Sequence, residues 1–246
     1  YRSNAQSRVF EEKLISKGIP YKIYGGFRFF ERAEIKDVIA YMRLATTNND
    51  NNSFERIVNT PPRGIGEKTK ELLRDFSKEN KTSLYDSIPL ALEKSIFTKK
   101  AGESLIEFHN LISLVKSILE KDDLPHQINE IIKISNIKSM YEKNKTEQAR
   151  SKLENLDELV SAAQEFTNTD LDENETIIDA FLTHTSLEAG EGQGNEWDEC
   201  VQLMTLHSSK GLEFPIVFLV GLEENLFPSR MSVSYTHLTL PTTGVV

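Results

Sequence analysis

Residues 201–229, VQLMTLHSSKGLEFPIVFLVGLEENLFPS, set the tightest limit on what this chain can fold into. They read as two buried strands with a short polar loop between them. Val201, Leu203, Met204 and Leu206 form the first strand. Residues 215–220 (PIVFLV) are a near-continuous apolar run, the pattern of a strand covered on both faces of a parallel sheet. The connecting residues 205–213 crowd small hydroxyls, a His, a Lys, a Gly and a Glu into one turn. In an open α/β sheet, ligands sit at loops beyond the strands' carboxyl ends. An ordinary polar connection has the same composition, so composition alone leaves both readings open.

Upstream, residues 7–17 place Val9, Phe10, Leu14 and Ile15 on one helical face, and Gly18 stops the helix. Residues 21–24 alternate as a short strand. From there the pattern is helix after helix, predicted over 27–45, 54–59, 67–77, 83–92, 98–119, 124–135, 137–142, 146–166 and 177–187. Leu105, Phe108, Leu111, Ile112 and Val115 form one apolar stripe, and Leu153, Leu156, Leu159 and Val160 another. The aromatic group Phe27, Phe29, Phe30 is expected in the core rather than as a base-stacking platform. Residues 167–176 are an acidic loop without the glycine and spacing of a Ca²⁺ loop, and 188–196 a Gly-rich acidic linker. The expectation is an α/β fold with a large all-α insertion. Residues 25–197 would interrupt a parallel-sheet domain made of 1–24 and 198–232.

Cys200 is the single cysteine, which excludes an intramolecular disulfide or a thiolate cluster, and the five histidines lack ligand spacing, so no metal site is expected. No apolar run approaches the ~20 residues of a membrane span and no signal peptide opens the chain, so a cytoplasmic location, away from membranes, is expected. The net charge of −9 argues against nucleic acid, but its distribution weakens that objection. No Lys or Arg occurs from 153 to 209, whereas Arg56, Arg63, Lys68, Lys70, Arg74, Lys78 and Lys81 make 56–81 locally basic. Charges beyond ~8–10 Å are screened, so a local patch outweighs the total.

Within that basic stretch, residues 59–66 (NTPPRGIG) lead into a helix. Glycines allow close approach, and the first N–H groups of a helix point outward, unpaired, at the positive end of its dipole. Gly64, Ile65 and Gly66, with Lys68, Thr69 and Lys70, are therefore a candidate anion-binding turn. A plain helix start has the same pattern.

The stretches TLHSSKGLEF and VFLVGLEENLFPS resemble motif V of superfamily-1A DNA helicases of the UvrD/PcrA/Rep type, UvrD most of all. YRSNAQSRVFEE resembles the family's motif IVa, and NTPPRGIG its helix-hairpin-helix-like element. The resemblance covers residues 1–232 and implies that 25–197 is domain 2B, inserted in a RecA-like domain 2A. It implies a parent enzyme that hydrolyses ATP with Mg²⁺ and moves 3′ to 5′ on DNA. It also puts Arg2, Asn4, Thr205 and His207 on single-stranded DNA, and Gly64, Ile65, Gly66, Lys68 and Thr69 on duplex backbone. Glu213 and Gly211 would lie at the nucleotide, with Glu213 on the ribose. Bacterial, nucleoid-associated DNA work with repair proteins as partners is the corresponding expectation.

No GxxxxGK[ST] phosphate loop occurs in the sequence, nor a strand ending in a Mg²⁺-binding Asp-Glu pair or a motif VI arginine. The expectation is therefore a helicase fragment with no catalytic residue of its own, inactive as an ATPase and binding no cofactor alone. A DNA-binding regulatory module and a protein-interaction scaffold are the alternatives. Residues 233–246 depart from the family's register and are expected to be a non-native tail.

Overall fold

The computed structural model describes residues 1–121, 123–167, 175–190 and 200–223. The chain divides into two compact units, Phe27–Gly192 and a second made of Tyr1–Gly26 with the described part of Gln193–Val246. The acidic loop falls mostly, and the Gly-rich linker largely, outside the described residues, as does the whole of 233–246.

In the smaller unit a 3₁₀ turn, Asn4–Gln6, leads into α1 (Ser7–Ser16). The helix ends at Gly18, whose φ of +63° suits glycine. Gly18 N–H bonds Ile15 O (2.8 Å) and Ile19 N–H bonds Leu14 O (2.9 Å), closing a Schellman motif. Two strands follow in parallel, β1 (Tyr21–Ile23) and β2 (Val201–Leu203), with Tyr21 opposite Val201 and Ile23 opposite Leu203. Tyr1 continues the pairing: its nitrogen donates to Met204 O (3.1 Å), and Leu206 N–H donates to Tyr1 O (2.9 Å). Backbone groups of alternate residues face opposite sides of a strand. The odd residues Val201 and Leu203 bond β1, so the even residues Met204 and Leu206 bond Tyr1 on the other edge, and β2 lies between.

Three expectations fail in this unit. The first strand, expected to be buried, is not: Val201 is exposed by 41% and Leu203 only partly covered. Residues 215–220 form no strand and are open to solvent, with Ile216, Val217 and Phe218 exposed by 74%, 71% and 83%. An apolar run pleats into a strand only where a neighbour takes its N–H and C=O groups, and none does so here among the described residues. The α/β character is accordingly thin, two strands of three residues each. On α1 the buried face is polar, Ser7, Arg8 and Glu11, while Val9 is exposed. Ser7 Oγ bonds Glu11, and Arg8 pairs with Glu12 at 2.6 Å, so ions rather than methyls fill that face.

The larger unit is helical. A 3₁₀ turn, Phe29–Glu31, precedes α2 (Ala33–Thr46), so the segment predicted as one helix from 27 begins only at Ala33. Then come α3 (Asn51–Ile57), α4 (Glu67–Asn80), α5 (Leu84–Glu93), α6 (Lys99–Leu119), α7 (Leu124–Ile134), α8 (Ile137–Glu142), α9 (Glu147–Phe166) and α10 (Ile177–Gly190). The hub is α2, which packs on α3, α6, α7 and α9. Its Ile35, Val38, Tyr41, Met42 and Leu44 are fully buried, each worth about 1.5–3 kcal/mol in apolar transfer. Phe54 meets Phe108 edge-on at 5.5 Å, tying α3 to α6. Phe29 and Phe30 are core, as expected, while Phe27 is exposed.

Some of the polar groups inside pair across elements. Arg32 Nη1 donates to Asn155 Oδ1 (2.8 Å), and Asn155 Nδ2 donates to Glu34 Oε1 (2.6 Å), joining α2 to α9. Among the described residues six helices begin with a side chain accepting an N–H: Asp50 for α3, Ser83 for α5, Thr98 for α6, Asp123 for α7, Thr146 for α9 and Thr176 for α10. No described helix is long and apolar enough to cross a membrane.

Candidate nucleic-acid interface

The connection from α3 to α4 is built from inside outward. Asn59 Oδ1 accepts the N–H groups of Arg63 (2.8 Å) and Ile65 (3.3 Å). Arg63 turns inward: Nη1 donates to Ile57 O (3.0 Å) and Pro61 O (3.1 Å), and Nη2 to Ser135 O (3.2 Å) and the Tyr41 hydroxyl. The guanidinium lies over the rings of Tyr41 and Phe108, at 5.8 and 5.5 Å. Tyr41 in turn donates to Thr60 O (2.8 Å), and burial pushes its phenol up to about 12, Arg63 pulling the other way. Ile65 is wholly buried, so the turn is pinned between two exposed glycines.

Those glycines differ. Gly64 has φ +77°, which only glycine adopts readily. Gly66 has φ −81° and ψ 173°, and a Cβ there would meet nothing within 4 Å. Neither backbone nor packing requires a glycine at 66. It caps α4 without a side chain, and only its carbonyl is used, by Thr69 N–H (3.1 Å) and Lys70 N–H (3.2 Å). The N–H groups of Gly64, Gly66, Glu67 and Lys68 make no hydrogen bond among the described residues. Chemically this is an exposed row of donors at a positive helix end, suited to an anion.

The charge around it is less basic than the sequence suggests. Lys70 pairs with Glu67 (2.6 Å), Arg74 with both Glu67 (2.7 Å) and Glu55, and Arg56 with Asp37 (2.7 Å). Hydrogen bonds from Lys70 and Arg74 hold the Glu67 carboxyl below its ordinary range. With Arg63 turned inward, Lys68, Lys78 and Lys81 are the cations of 56–81 without an ion pair among the described residues. Sequence reasoning counted all seven as one patch. The partner Glu55 lies on another helix, and Asn59, Arg63 and Tyr41 carry no signal as the frame of the turn.

In the smaller unit the loop after β2 is also self-bonded. Thr205 Oγ1 accepts Ser208 N–H (3.2 Å) and contacts Ser208 Oγ (2.9 Å), acting as a cap. Ser209 N–H bonds Thr205 O (3.1 Å), and Leu212 N–H bonds Ser209 O (3.0 Å). Gly211 has φ +85°, the left-handed region. His207, Lys210 and Glu213 are exposed. Tyr1 pairs beside Thr205, which brings Arg2 within one residue of the loop. The Arg2 and Ser3 N–H groups share Gln6 Oε1, at 2.9 and 3.0 Å, fixing the start of that segment. The Arg2 and Asn4 side chains are half-buried and make no hydrogen bond among the described residues.

Residues 1–240 match the family model described as UvrD-like helicase C-terminal domain. The chain is 48% identical to DNA helicase II of Salmonella typhimurium and 47% identical to that of Escherichia coli, each over 233 residues. These matches cover 95% of the chain and 32% of each relative. It is 38% identical over 229 residues to the ATP-dependent DNA helicase PcrA of Staphylococcus aureus, covering 93% of the chain and 31% of that protein. The chain thus spans about a third of the length of these curated relatives.

Proposed function

The chain belongs to the UvrD-like helicase C-terminal domain family, and from that premise we propose that it is the DNA-gripping portion of an ATP-dependent 3′–5′ DNA helicase. The helical unit acts as domain 2B and the strand-bearing unit as part of domain 2A. Gly64 and Gly66, with the N–H groups of Glu67 and Lys68, receive phosphates of duplex DNA. Lys68 supplies charge and Thr69 a hydroxyl, while Ile65 anchors the turn in the core. The observation that carries this reading is Gly66, a glycine that neither φ nor packing demands, at an uncapped helix end. A bare backbone there leaves room for a phosphate oxygen to reach the amides.

Arg2, Asn4, Thr205 and His207 meet single-stranded DNA at the carboxyl end of β2, and Gly211 and Glu213 face the nucleotide of the parent enzyme. Supporting this are the exposure of His207 and Glu213 on one short loop and the pairing of Tyr1 beside Thr205. One loop that touches both strand and nucleotide couples hydrolysis to stepping, since phosphoryl transfer depends on placed donors. Glu213 is a single exposed carboxylate suited to a ribose hydroxyl. Mg²⁺ takes carboxylates together with phosphate oxygens, which this loop does not offer, so no metal step is assigned to this chain. DNA-repair proteins are its proposed partners and a bacterial nucleoid its proposed setting.

The test is binding of the 246-residue chain to a duplex with a single-stranded tail, followed by anisotropy across salt. Contact with ~2–4 phosphates gives a log–log slope near −2 to −4, and Gly66→Asp abolishes it. Binding indifferent to salt and to Gly66→Asp would remove the duplex assignment. No DNA-dependent ATP turnover is expected of the chain alone; turnover would overturn that part.

A further inference from the structure

We propose that Asn59 and Arg63 are positioning residues for the phosphate-facing turn, acting on its backbone and not on DNA. The proposal rests on the duplex-contact reading of Gly64–Lys68 given above. An arginine beside Gly-Ile-Gly invites assignment as a phosphate ligand, but its four hydrogen bonds all go inward, to Ile57 O, Pro61 O, Ser135 O and the Tyr41 hydroxyl. Two aromatic rings flank it. The guanidinium therefore fastens the end of α3, the turn and the end of α7 to one point. A planar fork can span several carbonyls at once, which an ammonium cannot.

Asn59 completes the arrangement from the other side. Its one carbonyl oxygen takes the N–H groups of Arg63 and Ile65, residues on either side of Gly64. Occupying these two settles which amides remain. Arg63 and Ile65 are tied to protein, while Gly64, Gly66, Glu67 and Lys68 are left with free donors on exposed residues. Without the Asn59 oxygen, the Arg63 and Ile65 amides would lose their acceptor, and the turn would lose the bonds that hold Gly64 at its positive φ.

The decisive measurement separates position from charge. With the 246-residue chain and a tailed duplex, Asn59→Ala and Arg63→Ala should each weaken binding about 10-fold at every salt concentration, leaving the salt slope unchanged. If Arg63 instead touches phosphate, Arg63→Ala lowers the slope by about 1 and Arg63→Lys retains most affinity; either result overturns the proposal, as does unaltered binding. Arg63→Lys is expected to behave like Arg63→Ala, and Asn59→Asp, which keeps the acceptor oxygen, to retain the turn. Should the alanine variants unfold, amide exchange in the unmutated chain decides. Arg63 and Ile65 N–H should exchange at least about 10-fold more slowly than Gly64 and Gly66, and equal rates would refute the idea. Failure of the duplex reading itself looks different: Gly66→Asp and Lys68→Ala then leave binding intact.

Discussion

The helical unit and the strand-bearing unit treat apolar residues in opposite ways. In the first, Ile35, Phe54, Ile57, Phe108, Ile112 and Val115 are fully enclosed, and six described helix starts are capped by a side chain. In the second, Ile216, Val217, Phe218 and Leu222 stand open, and order comes from hydrogen bonds between short segments. A hydrophobic pattern specifies a surface that seeks cover, and whether it is covered depends on what the remaining elements supply. The helical unit supplies its own cover and so carries its own stability.

The sharpest way to break that contrast is a pair of truncations. Phe108→Ala should cost the helical unit about 3–5 kcal/mol in urea unfolding followed by circular dichroism, whereas Phe218→Ser should change stability by less than about 0.5 kcal/mol. Equal losses would mean that residues 215–220 are buried after all. Next in size is Asn155→Ala, which strips the bridge between Arg32 and Glu34 and should cost roughly 2–3 kcal/mol; a neutral outcome would mean that water replaces the amide.

Helix ends sharpen the comparison within the helical unit. Asp50→Ala removes a cap and should destabilise by about 1 kcal/mol. Gly66→Ser, at a position with room for a side chain, should instead stabilise by a few tenths of a kcal/mol while weakening duplex binding several-fold. Stabilisation with unchanged DNA affinity would remove the functional reason for that glycine.

The smallest effect is with pH. Burial pushes the Asp37 carboxyl above its ordinary range; Arg56 pulls the other way, Glu34 adds to the rise and Lys152 opposes it. The folded chain thus keeps this proton longer than the unfolded chain does. Its contribution is fully present below the unfolded pKa and is lost as pH rises through the folded one. Denaturation midpoints measured upward from about pH 4 should show this decline, and Asp37→Asn should flatten it. An unaltered slope would assign the pH dependence elsewhere.

Much of the helical unit was legible because period and punctuation agree. α8 begins and ends where the sequence predicts, and α6 and α9 start directly after Thr98 and Thr146, residues whose side chains cap them. The candidate turn was legible as Gly-Ile-Gly before a helix, because both the glycines and the helix start are local signals. Its frame was not. Asn59, Arg63 and Tyr41 act through backbone groups as distant as the Ser135 carbonyl, and the pairing of Arg74 draws on Glu55 from α3. The exposed 215–220 run escaped for the converse reason: local pattern states a demand without stating whether it is met.

The parallel ladder joins residues some 180 positions apart, Tyr21 with Val201 and Ile23 with Leu203. Closing a disordered span of that length would cost on the order of 4–5 kcal/mol in chain entropy, more than two three-residue strands return. Once the helices between have condensed, most of that slack is gone and the ladder can form cheaply. The connectivity therefore ties the ladder to the interior: the two flanks meet at less entropic cost once the span between them has condensed.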